Sequence, residues 1–254
     1  MILGPLLYLI YTADLPTTDK GYTANFADDT AVLTVHEDPD EAMQQLQLHL
    51  NKIHPWLMKW RMKANETKST QVTCTLRKRT CPPVYPNNKQ LPQTNEVKYL
   101  RIHLDRRLTW RQHITMKRKQ LDHKLRNLCW LIGRKTQLSL SNKLLVYTLT
   151  LKPIWTYGIQ LWGPASNSQL DILERFQSKA LRMLTNAPSF VPNAIIRNDL
   201  RVTTIRQEVK NTATPTGSGS LCIPTTWQPP YSKGYPATEL KRDYPEDLVT
   251  RFNY

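Results

Sequence analysis

The spacing of hydrophobic residues changes several times along this chain, and each change predicts a different element. An apolar run at 2–13 has Pro5 followed by closely spaced leucines, which predicts a short buried helix. Two β-prone runs, 22–27 and 30–35, flank an Asp-Asp pair and predict a hairpin. Asp38 and Pro39 then supply the N-cap and first turn of a helix over 39–60.

The second half of the chain is dominated by helical spacing. Strands are predicted at 68–76 and at 97–104, the latter with Leu100, Ile102 and Leu104 on one face. Helices are predicted at 109–132, 141–151 and 168–184, and the chain from 210 is a linker and an irregular tail. These elements predict an α+β fold.

Charge is distributed very unevenly over the 254 residues. Residues 1–50 contain one Lys or Arg and eight Asp or Glu, whereas residues 51–135 contain 21 basic and four acidic residues. Such a basic stretch attracts polyanions, although a solvated surface of a soluble protein would have the same composition. Aromatic residues among the basic ones favour nucleic acid, although most of the tryptophans are better explained as core residues.

Cysteine usage and hydropathy limit the cellular environment. The four cysteines form no CxxC pair, so neither a zinc site nor a disulfide framework is expected. Reduced thiols predict a cytoplasmic or nuclear protein that is not secreted. The apolar run at 2–13 is shorter than the roughly 20 residues that cross a bilayer, so no membrane partner is expected.

The adjacent carboxylates of Asp28 and Asp29 fall at the tip of the predicted hairpin. Magnesium prefers hard oxygen ligands, and one or two carboxylates with substrate phosphates suffice to bind it. A two-metal site of this kind catalyses nucleotidyl transfer. Paired acids in a hairpin turn are more often ordinary turn residues, so the pair alone leaves both interpretations open.

Six segments in a fixed order extend this observation. Together they resemble the reverse transcriptases of non-LTR retrotransposons, most closely the jockey-type elements of insects, from about residue 2 to 209. The segments are Leu3-Gly4-Pro5-Leu6-Leu7-Tyr8, Phe26-Ala27-Asp28-Asp29-Thr30, residues 56–65 with Lys68-Ser69, residues 97–105, residues 157–163 and residues 173–179.

The resemblance implies a role for each matched residue. Asp28 and Asp29 are similar to the catalytic, metal-binding acids, with Mg²⁺ as cofactor and with an RNA template, a DNA primer and a dNTP as partners. Gly4, Pro5 and Lys68 correspond to the nucleotide side, and Tyr99 and Leu100 to the primer grip. The predicted thumb surface that binds nucleic acid comprises Arg111, Lys117, Arg118, Lys119 and Lys124.

The resemblance also implies a partial palm at 1–105, a helical thumb at 106–209 and an unmatched tail at 210–254. Family members have fingers and another essential palm aspartate before the first of these motifs, and no residue here stands in for that aspartate. Arg101 occupies a position where the family usually has glycine, a residue that permits a bulge or close backbone approach. These departures predict a truncated or decayed element with little activity on its own.

The sequence is also compatible with two other interpretations. The chain is a non-enzymatic nucleic-acid-binding protein if only the basic helix has retained a role. It is a product without a selected role if the element has decayed.

Overall fold

The computed structural model describes residues 3–18, 20–27, 29–65, 67–77, 81–86, 89–133 and 135–213. The chain divides into two compact units, Met1–Leu108 and Thr109–Tyr254. Mixed helices and small antiparallel sheets agree with the predicted α+β class. The identification of these units with a palm and a thumb stays a prediction.

The first unit begins with α1 (Leu3–Tyr11), at the position predicted for a short helix. The prediction that this segment is buried was wrong, because its large side chains face solvent. Leu3 is 69% exposed and Ile10 is 64% exposed. The apolar spacing therefore identified the helix correctly, but within this unit α1 has no element packed over that face among the described residues.

The predicted hairpin is present in the first unit. Strands β1 (Gly21–Phe26) and β2 (Asp29–Thr34) pair antiparallel, with Gly21 opposite Thr34 and Phe26 opposite Asp29. Helix α2 (Pro39–Lys59) packs against both strands and continues through Pro55. Its buried face consists of His49, Ile53 and Trp56, which recur at the spacing of one helical stripe.

A second hairpin replaces the single strand predicted at 97–104. Strands β3 (Glu96–Tyr99) and β4 (Ile102–Asp105) pair antiparallel, with Tyr99 opposite Ile102. Leu100 and Arg101 form the connecting turn, with φ of 45° and 63°. Positive φ at both central residues belongs to the tight turns that join twisted strands, and residue 100 therefore does not share a strand face with residues 102 and 104.

The strand predicted at 68–76 is reduced to one isolated bridge between Gln71 and Gln93. Gln71 is buried and uses its side chain instead of a ladder: Oε1 accepts from the Val84 amide at 3.1 Å, and Nε2 donates to the Pro82 carbonyl at 2.9 Å. This side chain ties the described part of the proline-rich loop to the first unit.

The second unit is helical in its described residues, 109–133 and 135–213. It contains α3 (Arg111–Ile132), α4 (Leu140–Val146), a π-helical turn (Tyr147–Leu151), α5 (Lys152–Thr156), α6 (Ile159–Trp162), α7 (Asn167–Thr185), α8 (Asn193–Asp199) and α9 (Ile205–Ala213).

The core of the second unit lies where α3 packs on α7. Trp155, Trp162, Tyr147 and Phe176 are among the fully buried side chains of this unit. Of the tryptophans predicted to suit a core, Trp56 in the first unit and Trp110 in the second are buried, whereas Trp130 is 77% exposed. The helices predicted at 109–132 and 168–184 are confirmed as α3 and α7.

Helix α9 continues to Ala213, so residues 210–213 are helical rather than part of the predicted linker. The rest of the predicted tail lies outside the described residues. Across the residues that the structure describes, no helix is both long and apolar enough to span a membrane.

Candidate functional site

Phe26 and Asp29 are the last paired residues of the first hairpin, and Ala27 and Asp28 separate them in the sequence. Ala27 has φ of 50°, and Asp29 opens β2 with an exposed side chain opposite Phe26. Asp28 itself lies outside the described residues. Asp29 lies at the end of the hairpin, where the β-prone runs predicted it.

Tyr99 connects the second hairpin to the first. Its hydroxyl donates a hydrogen bond of 3.0 Å to the Ala24 carbonyl in β1. Partial burial raises the pKa of the Tyr99 phenol, and the negative charge of Asp29 raises it further. The structure therefore places Tyr99 against β1 and within electrostatic range of Asp29, and Leu100 follows Tyr99 in the adjoining turn.

A buried histidine of α2 forms a hydrogen bond with the first hairpin. His49 is fully buried on α2, with its Nδ1 2.6 Å from the Thr18 hydroxyl and its Nε2 2.8 Å from the Thr23 hydroxyl. Burial lowers the pKa of His49, and the charge of Lys52 lowers it further, so the neutral ring is favoured. A Cβ at Gly21 would lie 2.5 Å from His49 Nδ1, so glycine permits this close approach.

Sequence reasoning missed His49, although a signal for it was present. The residue lies four positions before Ile53 and seven before Trp56, on the apolar stripe of α2. A polar side chain at such a position must find hydrogen-bond partners on the element packed above it.

Gly4 and Pro5 lie on α1, which contacts the end of α2 rather than the hairpin tip. Tyr11 donates a hydrogen bond of 2.7 Å to the Trp60 carbonyl, and its ring meets the Trp60 ring edge-on at 4.6 Å. Trp56 Nε1 donates to Asp14 Oδ1 at 3.1 Å, so Asp14 is engaged in this packing.

Lys68 is exposed and lies in a turn organised by Asn65. The Asn65 side chain accepts from the backbone amides of Thr67 and Lys68, and its carbonyl accepts from the Ser69 amide. These contacts define the backbone around Lys68, and none of them connects it with the hairpin tip. The predicted nucleotide-side role of Lys68 stays a prediction.

A metal centre is not assembled by the described side chains alone. Among the residues that the structure describes, which do not include Asp28, no group of three or more His, Cys, Asp or Glu is arranged to hold an ion. Asp29 contributes one exposed carboxylate at the tip, which is a suitable hard ligand for magnesium.

The basic helix α3 is divided between a buried and an exposed face. Lys117 is only 7% exposed, and its ammonium lies 4.9 Å from the Tyr157 ring centroid. Arg118 forms an ion pair with Asp122 at 2.8 Å and donates to the Ile172 carbonyl. Both residues therefore take part in the packing of α3 within the unit, and their predicted role in binding nucleic acid stays a prediction.

The other three predicted residues of α3, Arg111, Lys119 and Lys124, are exposed. Two further exposed residues were not singled out as part of this surface. Arg126 and Trp130 follow Lys119 by seven and eleven positions, which places all three on one stripe of the helix. The signal was the helical period itself: residues that share a face differ by three, four, seven or eleven.

Comparison with known proteins identifies relatives of one kind. The chain is 35% identical over 255 residues to the probable RNA-directed DNA polymerase from transposon X-element of Drosophila melanogaster, covering 98% of this chain and 28% of that protein. It is 32% identical to the RNA-directed DNA polymerase from mobile element jockey of Drosophila funebris, covering 98% of this chain and 29% of that protein. Neither a protein-family model nor a solved structure matches the chain.

These matches confirm the resemblance drawn from the six motifs. The chain is related, over nearly its whole length, to a segment of the RNA-directed DNA polymerases of jockey-type non-LTR retrotransposons. It spans a little over a quarter of the length of these relatives.

The matches also correct the expectation that residues 210–254 have no counterpart. Alignment over 98% of the chain leaves only a few residues unmatched, so most of this tail lies within the region shared with the relatives.

Proposed function

We propose that this chain is the part of a retrotransposon RNA-directed DNA polymerase that carries the paired catalytic carboxylates and a nucleic-acid-binding helical unit. The observation that carries the proposal is the hairpin whose connection contains Asp28, with Asp29 exposed at the start of β2. Its support is the relationship to polymerases of this kind over 98% of the chain.

Asp28 and Asp29 would hold magnesium in this proposal, because carboxylate oxygens on an exposed tip match the preference of that ion. When bound, the metal favours attack of a primer 3′-hydroxyl on an incoming dNTP and stabilises the departing pyrophosphate. Tyr99 and Leu100 would position the primer end, since the Tyr99 hydrogen bond holds the second hairpin against the first.

The exposed face of α3 would bind the phosphate backbone of the RNA template and DNA primer. Lys119 and Arg126 provide positive charge, and Trp130 offers a ring on which a base stacks. The same observation favours the second candidate function, a nucleic-acid-binding protein without polymerase activity. The two candidates differ only in whether the hairpin tip takes part.

The isolated 254-residue chain is proposed to polymerise weakly or not at all. Two adjacent carboxylates repel each other, and the described residues contain no cluster that would add further ligands. Magnesium would therefore bind weakly until substrate phosphates supply its remaining ligands.

Metal binding is tested independently of activity with Mn²⁺ as a paramagnetic probe. The amide NMR signals of Phe26 and Asp29 should broaden first as Mn²⁺ is added to the full chain, and Mg²⁺ should reverse the effect. Asp28→Asn should remove the broadening, whereas Glu37→Gln, at an exposed acid of the same unit, should not. Equal broadening in both variants would remove the metal site.

Polymerisation is tested by primer extension on poly(rA)/oligo(dT) with Mg²⁺. Little or no extension is expected from the isolated chain. Robust extension that Asp28→Asn abolishes would contradict the proposed weakness while supporting the enzyme class. Robust extension that survives Asp28→Asn would remove the assignment of the carboxylates.

A further inference from the structure

A basic cleft in the second unit lies among α7, α8 and α9 and has no role in the proposal above. Its volume is about 750 Å³, and it is lined by five basic and two acidic side chains. This volume falls in the usual range of roughly 300–1,000 Å³ for small-molecule and cofactor sites. The lining therefore has an excess of positive charge in a concave site, where low-dielectric walls concentrate the field.

Part of this charge maintains the walls of the cleft. Arg182 donates to Asn193 Oδ1 at 2.8 Å and to the Pro188 carbonyl at 2.9 Å, which fixes the loop between α7 and α8. Arg197 donates to Glu174 Oε2 at 3.2 Å and to the Ser178 hydroxyl at 2.8 Å. These bonds hold Arg182 and Arg197 in fixed positions but neutralise only part of the positive charge of the cleft.

The acidic side chains of the cleft are already neutralised. Glu174 is buried and accepts from Arg197 and from the Arg206 amide. Asp171 accepts from the Arg206 guanidinium. Because both carboxylates have cationic partners, they leave the excess positive charge of the cleft available to an anion.

Two basic side chains that line the cleft are exposed, and one of them, Arg175, donates from its Nε to the Asp171 carbonyl at 3.1 Å. Arg175 and Lys179 are both exposed and lie one helical turn apart on α7. The ammonium of Lys179 has an ion-pair partner only at 3.8 Å, Asp122, and its side chain is 58% exposed. Deeper in the cleft, Arg197 Nε is buried and has no hydrogen-bond partner in the described parts of the chain.

A second cavity of about 590 Å³ shares one lining residue with the cleft. Arg182 lines both cavities, and the second is also lined by Met183, Ala187 and Ser189. Phe190, which follows Ser189, is 82% exposed. Proteins bind single strands by combining a positively charged groove with exposed aromatic rings, with phosphates on the basic residues and bases stacked on the rings.

We propose that the cleft formed by α7, α8 and α9 binds the backbone of a single-stranded nucleic acid, with Arg175 and Lys179 contacting phosphates and Phe190 stacking on a base. The site is built from other helices than the α3 stripe. It does not depend on the chemistry of the Asp28–Asp29 tip.

The test measures binding of the full chain to fluorescein-labelled oligo(dT) and oligo(rU) by fluorescence anisotropy at several salt concentrations. The double variant Arg175→Gln/Lys179→Gln should weaken binding about tenfold. Its slope of log affinity against log salt should become shallower by about 1.4, from roughly 0.7 per lost phosphate contact on single strands. Phe190→Ala should weaken single-strand binding about tenfold and leave the salt slope unchanged.

Matched variants separate this site from general charge and from the proposed function. Lys63→Gln/Lys98→Gln removes two exposed charges from the first unit and should change affinity much less. If Lys119→Gln/Arg126→Gln weakens binding and the cleft variant does not, the cleft proposal fails while the α3 surface stands. The opposite result retains the cleft and removes the α3 surface.

The type of ligand is decided by competition and by duplex binding. Unlabelled single strands should displace the probe at far lower phosphate concentration than inorganic phosphate. Displacement at equal concentrations would show a site for free phosphate only and would overturn the proposal. Loss of duplex and single-strand affinity to the same extent in Phe190→Ala would also contradict base stacking.

Discussion

Replacement of Arg101 by glycine should stabilise the first unit. Arg101 has φ of 63° in the turn between β3 and β4, a conformation in which an L residue is strained by about 1–2 kcal/mol. Glycine removes this strain but costs roughly 0.5–1 kcal/mol in chain entropy. The net gain is therefore about 0.5–1 kcal/mol, which corresponds to a rise in the melting temperature of about 2–8 °C for a domain of this size.

The matched control is Lys98→Gly, at an exposed position of β3 in the same hairpin. There the backbone is extended, so glycine loses entropy without relieving strain and should destabilise by about 0.5–1 kcal/mol. Urea denaturation of both variants, followed by tryptophan fluorescence, measures the two changes in the free energy of unfolding. Destabilisation of Arg101→Gly to the same extent as Lys98→Gly would refute the reasoning.

Three other changes test the packing that supports the two units. Gly21→Ala should destabilise by about 1–3 kcal/mol because its Cβ would lie 2.5 Å from His49, whereas Gly4→Ala, with nothing within 4 Å, should be neutral or stabilising in thermal melts. Because folding lowers the pKa of His49, the unfolded chain binds the proton at a higher pH than the folded chain does. The free energy of unfolding should therefore keep its full value above about pH 6.5 and decrease as the pH falls below it. His49→Gln should flatten that pH dependence in denaturation midpoints, and an unchanged profile would exclude His49 as its cause. Lys117→Ala should lower stability by about 1–2 kcal/mol through lost packing, whereas Lys119→Ala should leave stability unchanged but weaken oligonucleotide binding; the reverse pattern would contradict the assigned faces.

Local patterns along the chain determined the elements that carry the proposed chemistry. The β-prone runs on either side of Asp28–Asp29 were sufficient to predict the first hairpin, because strand propensity and a short polar connection act over neighbouring residues. The N-cap and proline at 38 and 39 likewise predicted the start of α2. Six motifs in order were sufficient to indicate the family, since order and spacing are properties of the sequence itself.

Tertiary structure alone decided which residues are available to a ligand. Lys117 and Lys119 are both lysines on one basic helix, yet the first packs on Tyr157 and the second faces solvent. The resemblance implies glycine at position 101, where this chain has arginine. The structural reason for a glycine there became clear only because the second hairpin places that residue at positive φ. Composition predicts that a helix is basic, but burial depends on which side other helices cover, and that information lies in contacts between residues far apart in the chain.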